Sequence, residues 1–253
     1  MPKESLMIVE LIYSLKYLKM RKKFFTAVIM ALALTMLACG KKEKTSQEDN
    51  ASPSEEMADS ESVISSIREV WKTKTIDVGN NEGKPEIGQF AFAFCEEYPD
   101  YEPNAALQEY LSNPKDYNED NTDFQINDDT NNGYLSSNFL GQFDFRTDCC
   151  YWKRKNGHYL VAFWLCEQFE DMEVPENLVL FYDYDPETFK LTPEPQWTEL
   201  VEKNTASFTT YEVRLPDEGK DIEVMTYSEA EEDSYEATSF QMIWDGQNFT
   251  VKK

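Results

Sequence analysis

The sequence predicts an α+β protein in which N-terminal helices pack on a curved antiparallel β-sheet built of hairpins. Three observations carry that prediction. Between Val63 and Pro114 the large apolar residues recur at helical spacing, after Pro114 the pattern changes to period two, and the second part contains three turn signals flanked by apolar runs. Helices first and antiparallel hairpins afterwards place the two kinds of element in separate layers.

Taken in order, Ser60-Glu61-Ser62 precede Val63, Ile64, Ile67, Val70 and Trp71, the stripe of a short helix capped by serine. Thr73 to Val78 reads as a strand. Pro85 opens a second helix reaching Tyr98, with Ile87, Phe90, Phe94 and Cys95 on one face. Asn104 is expected to cap a third, Ala105 to Leu111, which must stop before Pro114 because the residue preceding a proline avoids helical dihedrals. One α+β domain over 63–253 follows, with a helical layer at 63–114 and a β part at 120–253.

The hairpins come next. Lys155-Asn156-Gly157 lies between CCYWKR and HYLVAFWLC, and a two-residue Asn-Gly turn would pair Lys155 with His158, Trp152 with Val161 and Cys150 with Phe163. Trp152 and Trp164 would then point to opposite faces. Asp185-Pro186-Glu187-Thr188 joins LVLFY to FKL, and Asp245-Gly246 joins SFQMIW to NFTVKK. Weaker strands are expected near Gly133–Ser137, Thr209–Leu215 and Ile222–Tyr227.

The N-terminal region gives an address. Arg21, Lys22 and Lys23 form a basic cluster, Phe24 to Ala38 an apolar core, and a small residue precedes Cys39, the pattern of an export signal. The core is shorter than the roughly 20 apolar residues of a membrane-spanning helix. Met20 reads as the start of this signal and residues 1–19 as a mis-assigned start; translated from Met1, they form a long n-region removed with the rest. Met36-Leu37-Ala38-Cys39-Gly40 resembles the lipobox of bacterial lipoprotein precursors. That resemblance implies loss of residues 1–38 and lipid on Cys39. Residues 39–62 then form an acidic tether: Gly40 to Ser60 contains no apolar side chain larger than Met57, too little to offset chain entropy, and is expected to be disordered.

Charge excludes a class of partners. The chain carries a formal −24, and removing residues 1–38 takes away six Lys/Arg and two Asp/Glu, leaving 18 basic against 46 acidic residues, or −28. Phosphate backbones are repelled, so nucleic acid is not a partner, and anionic headgroups leave the acyl chains on Cys39 as the membrane attachment. A hydrophobic content of 41% is nevertheless enough for a real core. Cys95, Cys149, Cys150 and Cys166 contain no CxxC spacing, which disfavours zinc or a thioredoxin-like motif and leaves buried thiols or one disulfide open.

Few residues invite chemistry. His158 is the single histidine, either an ordinary turn residue or a lone base activated by Asp148 or Glu167 across the sheet. Gly79 to Pro85 looks like a phosphate loop but is one residue short, and Pro85 stands where a hydroxyl is needed. Asp128, Thr130, Asn132 and Gly133 match the first half of a calcium loop, yet its twelfth position is Phe139; a second register through Asp116, Asn118 and Asp120 ends on Asn127. A solvated Asx-rich turn is the plainer reading. Asp183 and Asp185 alternate with Tyr182 and Tyr184, residue types a sugar cleft uses, although Asp185 also has the Pro186 turn to start.

The function expected is a lipid-anchored cell-envelope protein of a Gram-negative bacterium with a non-enzymatic binding or scaffolding role, no cofactor or metal, and a protein or glycan ligand left open. Carbohydrate binding or degradation is one alternative, and calcium-stabilised adhesion another. The acidic tether followed by aromatic hairpins ending in WDGQNF resembles uncharacterised envelope lipoproteins of Bacteroidetes, which implies display at the outer membrane.

Overall fold

A computed structural model describes residues 62–80, 84–118, 122–141, 144–169, 172–229 and 235–253. The expected signal peptide, Cys39 and the tether up to residue 61 lie outside the described residues. Among those described, no helix is long and apolar enough to cross a membrane.

Three helices open the domain: α1 (Val63–Val70), α2 (Ile87–Glu97) and α3 (Glu102–Ser112). Ser62 caps α1, its hydroxyl accepting the Ser65 N–H at 3.2 Å. α2 begins two residues later than expected, at a capping box in which Glu86 and Gln89 exchange side-chain and backbone bonds. α3 begins earlier, after Tyr101, with Pro103 in its first turn. Asn104 is therefore not the cap. It is buried, its Nδ2 donating to the Tyr98 carbonyl at 2.9 Å while its Oδ1 accepts from Thr147 Oγ1 at 2.9 Å.

The strands are β1 (Ile76–Asp77), β2 (Phe124–Asp129), β3 (Tyr134–Phe139), β4 (Phe145–Lys153), β5 (Tyr159–Glu167), β6 (Glu176–Asp185), β7 (Lys190–Pro193), β8 (Thr210–Arg214), β9 (Ile222–Glu229), β10 (Tyr235–Trp244) and β11 (Phe249–Lys252), with helix α4 (Pro195–Thr205) after β7. The α+β class holds, but the strands form two antiparallel sheets rather than one. Seven lie in the order β1-β7-β6-β5-β4-β3-β2, and four in the order β11-β10-β9-β8. The composition of β5 and β6 explains the second sheet. Their runs YLVAFWLC and LVLFY are apolar on both faces, so the central strands need cover on both sides. Val161, Phe163 and Leu165 face the helices, with Phe90, Phe94 and Trp71 in the same core. Leu160, Ala162 and Trp164 face the other way, into a core shared with Val213, Val224, Met242 and Phe249 of the small sheet and Val201 of α4.

The β4–β5 register differs from the expected one by a residue. Arg154 N–H bonds the His158 carbonyl at 2.9 Å and Gly157 N–H the Arg154 carbonyl at 3.1 Å, with Gly157 at φ 91°, so the turn holds three residues. Lys153 consequently faces Tyr159, Trp152 faces Leu160 and Cys150 faces Ala162. A one-residue slip exchanges the faces of a strand. Trp152 and Trp164 thus share one face, and both are buried between the sheets.

At the second hairpin, Phe189 takes a positive φ of 59° inside the turn, so β7 starts at Lys190 rather than at Phe189. The third hairpin forms at Asp245-Gly246, but through a four-residue loop over 245–248 that sets Trp244 opposite Phe249. β2 and α4 are additions to the elements read from sequence. β2 buries Phe124 and Ile126 within the Asx-rich stretch, which is therefore a strand before it is a turn.

Candidate functional site

A cavity of about 540 Å³ opens where α1, the approach to β6, the C-terminal turn of α4 and the start of β8 meet. Arg68, in the last turn of α1, reaches across it. Its guanidinium donates to Glu202 Oε1 at 2.9 Å and to the Asn177 carbonyl at 2.7 Å, and stands 3.7 Å from Glu176 Oε1. Ser65 Oγ donates to the same Glu176 oxygen at 3.0 Å. Tyr211 donates to the Asn177 carbonyl at 3.1 Å, and burial pushes its phenol up to about 12, so it stays a neutral donor. Met172, Val174 and Phe208 supply apolar wall. The opening is a broad, solvent-facing groove with apolar wall and a few oriented polar groups.

The residues singled out in the sequence gather elsewhere. His158 meets neither Asp148 nor Glu167; it lies at the start of β5 against β6, with Nδ1 2.6 Å from Asp183 Oδ2 and Nε2 4.0 Å from Asp185 Oδ1. Its imidazole pKa is raised, chiefly by the hydrogen bond that Nδ1–H donates to Asp183, with burial opposing. Asp183 also pairs with Arg154 Nη1, and the same guanidinium grips Glu194 with Nη1 and Nη2. Trp197 Nε1 completes the chain at 2.8 Å from Glu194 Oε2. Arg154 is only 6% exposed, which makes this a buried ion network joining the β4–β5 turn, β6 and the start of α4.

Asp148 is buried at 1% exposure against Arg146 Nε at 2.6 Å, and Arg146 also lies 5.1 Å above the Trp164 ring. Burial pushes the Asp148 carboxyl up, and the neighbouring Arg146 holds it down in part. Glu167, likewise raised by burial, accepts from the Ser62 hydroxyl at the start of α1, where a helix N-terminus favours negative charge. Each therefore has a structural partner on its own side of the sheet.

Tyr182 and Tyr184 belong to the helix-side core, whereas Asp183 faces Arg154 and His158. Alternation along β6 puts the aromatics and the carboxylates on opposite faces, so they cannot line one sugar cleft. Asp128 and Asp129 sit at the β2–β3 turn. There Asp128 Oδ1 accepts from Thr130 N–H at 3.1 Å and Asp129 Oδ2 from Asn132 Nδ2 at 2.8 Å, local turn bonds of the Asx kind. Asp120 lies outside the described residues, as do residues 81–83 of the Gly79–Pro85 loop. All four described cysteines are free and buried, and burial pushes the Cys166 thiol up to about 12.

Arg68, Glu176, Glu202 and Tyr211 carry no local sequence signal, because contacts between distant elements alone assemble the cavity. Arg154 and Glu194 are equally silent, though Glu194-Pro195 does mark the start of α4. The fold and the cavity together define an α+β domain of helices, a seven-stranded sheet and a four-stranded sheet with a ligand-sized opening. No known protein family, curated protein or solved structure matches the chain.

Proposed function

We propose that this is a lipid-anchored protein of a Gram-negative cell envelope, displayed at the outer membrane, whose domain binds a ligand without transforming it. Cys39 is the acylated residue and residues 39–61 the tether, one residue shorter than the sequence suggests because Ser62 caps α1, and the seven-stranded sheet curves around the N-terminal helices. The observation that carries the anchoring is the order of basic cluster, fifteen-residue apolar core and Met36-Leu37-Ala38-Cys39-Gly40. Support for the binding role is the cavity beside Arg68, whose side chain is already held by Glu202 and Asn177, so that its polar groups are oriented before a ligand arrives.

Labelled palmitate fed to cells expressing the full chain tests the anchoring. Incorporation that depends on Cys39, with release from the membrane fraction in Cys39→Ala, is expected. A Cys39→Ala variant that keeps its label and its fractionation overturns the reading.

A further inference from the structure

The chemistry that neither the cavity nor the core absorbs lies at the β4–β5 turn. Asp183 Oδ2 receives His158 Nδ1 at 2.6 Å. A carboxylate on Nδ1 places the ring proton there and leaves the lone pair on Nε2, the arrangement by which metal-binding histidines are oriented. Nε2 faces Asp185 Oδ1 across 4.0 Å. The Asp185 carboxylate is itself fixed, Oδ1 accepting the Glu187 N–H at 2.8 Å and Oδ2 the Thr188 hydroxyl at 2.9 Å. The Thr188 N–H bonds this carboxylate as well, and since its two oxygens offer about four lone-pair sites, at least one remains for a ligand.

We propose that His158 Nε2 and Asp185 Oδ1 form a surface site for a divalent transition-metal ion of the zinc or copper class, with Asp183 as the positioning residue that sets the imidazole. Distances favour it. Zinc–nitrogen and zinc–oxygen bonds of about 2.0–2.2 Å span roughly 4.2 Å in line and about 3.4 Å at a tetrahedral angle. The 4.0 Å gap therefore closes onto a metal by less than 1 Å, and both side chains are partly exposed, at 34% and 29%, so that water reaches the site. An imidazole donor selects zinc, copper or nickel over calcium and magnesium, which take oxygen ligands. Arg154 opposes a cation here, but Asp183 and Glu194 both pair with it and neutralise its charge. No three His, Cys, Asp or Glu side chains converge on a metal position among the described residues, so water completes the coordination. Protons compete for Nε2, and uptake should fall with acidity.

The chain has one histidine, so its Hε1 resonance reports this position without ambiguity. The test is titration of the purified full chain, carrying ¹³C-labelled histidine, with ZnCl2. A saturable one-to-one shift of that resonance is expected, with the matching heat lost in His158→Gln. Asp183→Asn should weaken binding about 10-fold or more, the usual cost of removing a carboxylate that orients a metal-bound histidine, and should lower the pH at which the imidazole titrates. Asp185→Asn, which preserves a turn acceptor, gives an independent variant if Asp183→Asn fails to fold, and should also weaken binding. Zinc uptake by scattered carboxylates would leave the resonance unmoved and survive His158→Gln, and that result overturns the site.

Discussion

Phe94 lies flat on Phe163, ring centroids 3.8 Å apart and planes 10° apart, and this contact joins α2 to the middle of the central strand β5. Tyr182 stands edge-on to both rings, at 6.4 and 6.0 Å, so the pair is wedged rather than free to slide. Phe94→Ala should destabilise the domain by about 3–5 kcal/mol, the lost burial plus the cavity left behind. Phe94→Leu should cost less because it refills part of the volume. Urea unfolding reads both as a lower midpoint at constant slope.

Arg154 holds Asp183 and Glu194 at once from a 6% exposed position. Removing the cation leaves two partly buried carboxylates facing each other, and breaking such a pair costs about 3–5 kcal/mol. Both carboxylate side chains are 19% exposed, so water recovers part of that loss and Arg154→Ala should fall near the lower figure. Arg154→Lys should regain only a fraction, because a single ammonium cannot reproduce the two-nitrogen grip on Glu194 while reaching Asp183. Thermal melts of the two variants side by side separate charge from geometry.

What could be read from the sequence was local. Asp245-Gly246 and Asp185-Pro186 announce their turns because the carboxylates bond backbone N–H groups two or three residues on. Helix starts shifted where Glu86 and Tyr101 took the cap positions, residues that rank below serine or asparagine for that role. β2 was hidden because two apolar residues, Phe124 and Ile126, are a thin alternation inside an Asx-rich stretch. α4 was hidden because its buried stripe includes Thr198 and Thr205 with Val201. The division into two sheets, the cavity and the His158–Asp183 contact depend on which distant strands pair. No local signal fixes the β5–β6 register across the long connection between Glu167 and Glu176.

Gly133 and Gly157 both have positive φ, 76° and 91°, yet they should respond differently to alanine. A Cβ at Gly133 would lie 2.8 Å from the Tyr151 ring, whereas one at Gly157 meets nothing within 4 Å. Tyr151 cannot easily withdraw, since it stands edge-on to Phe90 at 5.7 Å and to Tyr159 at 5.6 Å. Gly157→Ala should therefore cost about 1–2 kcal/mol, the left-handed penalty alone. Gly133→Ala should cost that and a steric part of about 1–3 kcal/mol besides. Equal losses in chemical denaturation would show that Tyr151 moves aside.

Asp245 gives a pH dependence of known sign. Its carboxylate accepts the Gln247 and Asn248 N–H groups, each at 2.8 Å, and those backbone bonds, that to Asn248 foremost, hold its pKa below the ordinary carboxylate value. The ionised form is thus favoured more in the folded than in the unfolded chain. Its contribution to stability is present above the unfolded value of about 3.9 and is lost as pH falls through the lower folded value. Asp245→Asn keeps an acceptor oxygen but not the charge. The stability gap between the parent and this variant should accordingly be flat near neutrality and shrink in acid below about pH 4, measured by urea unfolding at each pH. A gap that persists unchanged through that window would mean the turn is held by its shape and not by the carboxylate charge.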